Sequence, residues 1–77
     1  MSTDPRTAES KSLDELIEEV WPGVFALCYR LVGSVEDAED LTQDSVIKMA
    51  KAYAGFEGRS AFRTWAYRIA TNTCYNF

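Results

Sequence analysis

Apolar residues recur at three- and four-residue intervals along most of this chain, and no stretch of useful length alternates as a strand would. Ser12-Leu13-Asp14-Glu15 has the form of a capping box, with the Ser12 hydroxyl accepting from an orphan N–H and Glu15 reaching back. It predicts a first helix from there to about Trp21. Pro22 suits a first helical turn better than an interior, so a second segment is expected to begin at it. Val24, Leu27, Cys28 and Leu31 keep helical spacing, and Gly33 can close that segment in the left-handed conformation. Ser34 can cap a third helix, with Glu36 and Asp37 well placed in its first turn and an end at Ala52 or Tyr53. Residues 55–59 read as a short loop, and Ser60 as the cap of a fourth helix. Residues 1–11 are polar, contain Pro5 and lack periodicity, which marks a mobile tail. The pattern predicts an all-α fold, a compact bundle of about four short helices over residues 12–77.

At about 100° per residue, Ala38, Leu41, Thr42, Ser45, Val46, Met49 and Ala52 share one face of the third helix, the predicted core face. Asp40, Gln43, Asp44, Ile47 and Lys51 fall opposite, with Ile47 an apolar side chain among carboxylates and an amide. Such a face is either simply solvated or a surface for a basic partner; single exposed apolar residues are common. On the last helix Phe62, Trp65, Ala66, Ile69, Thr73 and Phe77 form the predicted buried stripe. Arg63, Tyr67, Arg68, Thr71, Asn72 and Tyr75 cover the rest. Arginine can hold phosphate, aromatic rings can stack on unpaired bases, and asparagine can bond base edges. Amphipathic helices also expose Arg and Tyr with no ligand, and Trp65 reads more readily as core than as contact.

Composition narrows the class. The 77 residues allow one small domain, and a hydrophobic share of 47% is that of a globular chain. No apolar run approaches a membrane span, and the N-terminus has no apolar core of a signal peptide. A soluble, intracellular protein is expected. Cys28 and Cys74 stand far apart in a chain without histidine, so they are read as two buried thiols rather than a metal site or a disulfide. No metal, cofactor, membrane or small-molecule substrate is expected, and no nucleophile–base pair or phosphate loop suggests an enzyme. The net charge of −4 hides an asymmetry: residues 1–57 carry −7, whereas residues 58–77 carry Arg59, Arg63 and Arg68 and no acid. Screening confines such effects to about 10 Å, so the two regions should attract different partners.

Three motifs in register make the chain resemble the second region of bacterial sigma factors of the extracytoplasmic-function (ECF) type. They are Leu27-Cys28-Tyr29-Arg30-Leu31-Val32-Gly33-Ser34, Asp37-Ala38-Glu39-Asp40-Leu41-Thr42-Gln43-Asp44, and Phe62-Arg63-Thr64-Trp65 with Tyr67-Arg68-Ile69-Ala70-Thr71-Asn72. The resemblance covers residues 14–77. It implies a cytoplasmic bacterial transcription initiation factor that works by binding and strand capture. Asp40, Gln43 and Asp44, with Ile47 beside them, would dock on the β′ coiled coil of the RNA polymerase core. The last helix and the loop before it would engage the non-template strand of the −10 promoter element. Phe62 and Trp65 match positions associated with strand opening, and Arg68 and Asn72 match positions at the element's upstream edge. Asn76 lies one turn further on, and Arg63 and Tyr67 complete the DNA-facing set. A flipped-out base would be held by some of Phe56, Gly58, Arg59, Ser60 and Ala61. An anti-sigma factor is an implied partner.

The sequence also departs from the family pattern. Ala66 stands where housekeeping sigma factors have a second tryptophan and this subfamily commonly has leucine, so melting by a paired aromatic wedge is not expected. A factor lacking that wedge should depend on a well-matched promoter. Asp44 replaces the more usual glutamate, keeping the charge at shorter reach. The chain stops at Phe77 without a helix breaker, where the family helix continues toward a linker and a −35-binding domain; a piece of a longer protein is expected. Two alternatives remain, a helix-turn-helix module reading duplex DNA and a protein-interaction domain with no DNA affinity.

Overall fold

The computed structural model describes residues 11–56 and 61–77. They form three α-helices and one 3-10 turn: α1 over Leu13–Val32, α2 over Val35–Ala52, the turn over Tyr53–Gly55, and α3 over Phe62–Tyr75. Each helix packs on both others. The expected four helices are three, because the segments on either side of Pro22 are one continuous helix of 20 residues. Pro22 removes one backbone bond and costs the helix about 3 kcal/mol. The apolar stripe Ile17, Val20, Val24, Leu27, Cys28 runs through it without a change of phase, and its burial holds the helix together across the proline.

The ends are set by local chemistry. The Ser12 hydroxyl accepts from the Glu15 N–H at 3.2 Å while the Glu15 carboxylate accepts from the Ser12 N–H at 2.9 Å, completing the capping box. Gly33 closes α1 at φ 75°, the left-handed region open to glycine, and donates its N–H to the Tyr29 carbonyl at 2.7 Å. Ser34 then caps α2, accepting from Asp37 N–H at 3.3 Å. Two helices are thereby turned back on one another within two residues. The cap position of α3 belongs to Ala61, which offers no side-chain acceptor; Ser60, expected there, lies outside the described residues.

The core contains Val20, Val24 and Cys28 of α1, Ala38, Leu41 and Met49 of α2, and Ala66, Ala70 and Cys74 of α3. Thr42 and Ser45 are also fully buried, each hydroxyl donating to the carbonyl four residues back at 2.7 Å, so neither polar group is orphaned. Of the predicted core face of α2, Val46 is only half-buried and Ala52 is exposed. On α3 the correction is larger. Ala70 and Cys74 join Ala66 and Thr73 in the interior, whereas Phe62, Trp65 and Ile69 are half-buried and Phe77 is 70% exposed. The buried stripe is therefore rotated by about 60° from the one that the large side chains suggest. Small residues let the helix axes approach, and the rings wrap the flank. Phe77 lies beyond the helix end at Tyr75.

Cys28 and Cys74 are free and buried, as read from the sequence. Burial, together with the neighbouring Cys28 sulfur, pushes the Cys74 thiol up to about 11, so it remains protonated at neutral pH. Gly23 of α1 lies close against Tyr67 of α3: a Cβ placed there would stand 1.8 Å from the Tyr67 hydroxyl oxygen and 2.9 Å from its ring carbon. Glycine is held at this helical position by its neighbour, not by its own dihedral freedom. Gly23→Ala should gain about 1 kcal/mol of helix propensity and lose about 1–3 kcal/mol to overpacking. Thermal unfolding should therefore show net destabilisation in the natural sequence and stabilisation in a Tyr67→Ala background. A Gly23→Ala chain more stable than the natural one would contradict the contact.

Candidate functional site

The burial of Leu41, Thr42 and Ser45 fixes the rotation of α2 and turns Asp40, Gln43, Asp44 and Ile47 outward, all exposed. The carboxylates of Asp40 and Asp44 have no ion-pair partner among the described residues, where the one salt bridge joins Lys11, just before α1, to Glu19 on it. Two unneutralised carboxylates one turn apart, an amide between them and a 52%-exposed isoleucine form a compact patch. Beside it runs a groove of about 470 Å³ lined by Trp21, Pro22 and Phe25 of α1 and by Glu39 and Gln43 of α2. Tyr29 extends its aromatic wall by stacking on Phe25 at 6.4 Å. Sequence reasoning missed this wall. Trp21, Phe25 and Tyr29 recur every four residues, but the expected break at Pro22 separated the first from the others.

The residues proposed for nucleic acid divide into three groups. Arg68 and Asn72 of α3 and Asn76, which caps it, are exposed and lie along one strip, with Tyr75 beside them. Arg63 is also exposed but projects about 140° away from Arg68, so the two arginines do not share a strip. Tyr67 is half-buried against Gly23 and serves the α1–α3 contact. Phe56, Phe62 and Trp65 form a third group with Tyr53, which the sequence reading did not single out. All six pairs of these four rings are in contact, at centroid separations from 4.9 Å for Phe56–Trp65 to 6.2 Å for Tyr53–Trp65. Each ring is half-buried, leaving part of the cluster open to solvent. Gly58, Arg59 and Ser60, named for the base-holding loop, lie outside the described residues; Ala61 is exposed at the head of α3.

The electrostatics of the two faces differ as the sequence suggested. Helix α3 contains no acidic residue. The Lys48 ammonium crosses from α2 and donates to the Thr73 hydroxyl at 3.2 Å, adding a cation to the α3 flank that sequence spacing alone did not reveal. Thr73 in turn donates to the Ile69 carbonyl at 2.8 Å. Ala66 is fully buried. A bulky ring at that position would have to enter the core, so this bundle presents a single tryptophan on α3. Among the described residues there is no cluster of metal-ligating side chains and no helix long and apolar enough to cross a membrane.

Sequence comparison places this geometry in a known class. The sigma-70 region 2 family model matches residues 10–77, and the chain belongs to that family. Relatives that it matches include ECF RNA polymerase sigma factors and other RNA polymerase sigma factors. It is 57% identical over 51 residues to SigG of Mycobacterium tuberculosis, covering 66% of this chain and 14% of SigG. It is 43% identical over 49 residues to SigW of Bacillus subtilis, covering 64% and 26% respectively. It is 37% identical over 68 residues to the sigma-H factor of Pseudomonas aeruginosa, covering 88% and 35%. The chain thus spans between 14% and 35% of the length of these curated relatives. No solved structure matches it. Sigma factors are non-enzymatic transcription initiation factors, so the domain is not an enzyme.

The outward face of α2 should be separable from the fold by mutation. Asp40→Ala and Asp44→Ala should each shift unfolding stability by no more than about 0.5 kcal/mol, whereas Leu41→Ala between them should cost about 2–5 kcal/mol. Chemical denaturation of the three variants checks this; a carboxylate variant as damaging as Leu41→Ala would show that the patch belongs to the structure.

Proposed function

We propose that this domain docks on the β′ coiled coil of RNA polymerase through α2 and holds the unpaired non-template strand of the −10 promoter element with α3. The observation that carries the reading is the exposed set Asp40, Gln43 and Asp44, without an ion pair among the described residues, on a helix whose rotation is fixed by its buried face. Asp40 and Asp44 attract a basic helical partner, and Gln43 supplies an oriented amide. Ile47 and the Trp21–Phe25 groove supply apolar area that charge alone cannot provide. The same surfaces suit an anti-sigma factor, which would compete for them in the bacterial cytoplasm.

The DNA half of the reading rests on α3. Arg68 contacts the strand's phosphates while Asn72 and Asn76 read base edges along the same strip. The half-open ring cluster offers faces on which an unpaired base can stack. Few cations are available, so affinity of the isolated domain for DNA is modest and falls with salt. Polymerase docking supplies the missing affinity by holding strand and domain together.

Titration of the chain with an isolated β′ coiled-coil peptide tests the docking half. Saturable binding is expected, at least about tenfold weaker in an Asp40→Ala/Gln43→Ala variant of unchanged helicity. A folded natural chain that does not bind, or a double variant that binds equally well, would overturn the docking assignment.

A further inference from the structure

We infer that Tyr53 is a positioning residue for the strand-engaging rings Phe62 and Trp65. This role rests on the nucleic-acid half of the function proposed above and adds a residue to it. Phe62 and Trp65 each have one side against the main core, where they pack as half-buried members of its edge. Both rings also meet Tyr53 and Phe56, supplied by the turn after α2. Tyr53 meets Phe62 at 6.1 Å and 72° and Trp65 at 6.2 Å and 62°, edge-to-face in both cases. It stacks on Phe56 at 5.9 Å and 20°. These are the separations and attitudes that aromatic quadrupoles favour.

The backbone under Tyr53 is itself fixed. Phe56 N–H donates to the Tyr53 carbonyl at 2.9 Å, closing the 3-10 turn directly on the end of α2. A ring anchored there restricts the rotation of Phe62 and Trp65 from the solvent side, as the core restricts it from within. Strand capture needs such restriction, because a ring free to swing pays side-chain entropy each time a base stacks on it. Tyr53 does not belong to the main core. Its removal is therefore expected to loosen the cluster and leave the three-helix packing in place.

The test is fluorescence anisotropy with a short labelled single-stranded oligonucleotide of randomised sequence, read alongside circular dichroism. Tyr53→Ala and Tyr53→Leu should retain helicity and bind about fivefold more weakly, whereas Tyr53→Phe, which keeps the ring, should bind within about twofold of the natural chain. A folded Ala or Leu variant that binds like the natural chain would overturn the role. Loss of the fold in both variants would overturn it too, marking Tyr53 as a residue of stability. If the natural chain itself failed to bind single strands, the nucleic-acid reading would fall first, and the role of Tyr53 with it.

Discussion

Helices of 20, 18 and 14 residues can share one core only if their axes come close, and close approach is decided by the smallest side chains at the crossings. Ala38 and Ser45 on α2 and Ala66 and Ala70 on α3 are small and fully buried, and Gly23 on α1 stands against Tyr67 of α3. Everything outward-facing follows from that constraint. With Ala66 and Ala70 against the bundle, Phe62 and Trp65 must stand at its flank, and Arg68, Asn72 and Asn76 must face solvent. With Leu41, Thr42 and Ser45 inside, Asp40, Gln43 and Asp44 have no direction left but outward. The exposed faces are consequences of how the interior is packed.

That constraint also explains how one small body can carry two chemically opposed surfaces. The acidic patch and the acid-free helix belong to adjacent elements, and the reach of their charges is screened to about 10 Å at ordinary salt. Lys48 marks the seam between them: it stands on the acidic helix, but its ammonium is drawn to Thr73 on α3. The buried thiols of Cys28 and Cys74 add to the interior as small apolar groups, with Cys74 held protonated by its surroundings.

Much of this was legible in the sequence, for reasons that are local. The capping box at Ser12, the Gly33 cap and the Ser34 cap depend on a few neighbouring residues, and each formed where expected. The outward face of α2 was legible because a single helix with mixed polarity has one sensible orientation. Three features depended on contacts between helices and could not be read from spacing. Pro22 reads as a breaker until the continuous stripe on both sides is seen to bury against α2 and α3. The rings of α3 outweigh its alanines in any hydrophobic average, although Ala66 and Ala70 are the fully buried ones. Tyr67 carries a nucleic-acid-binding side chain by type, but Gly23 on a neighbouring helix claims it.

The central claim is that α3 and the ring cluster meet the unpaired strand while the acidic face of α2 stays free for another partner. Amide chemical-shift mapping of the isotope-labelled chain, titrated with single-stranded −10-type oligonucleotides, tests it most directly. Shifts should concentrate at Arg68, Asn72, Asn76 and the Phe56–Phe62–Trp65 rings, with Asp40, Gln43 and Asp44 unmoved. Shifts centred on the α2 face, or a spectrum unchanged by the strand, would contradict it.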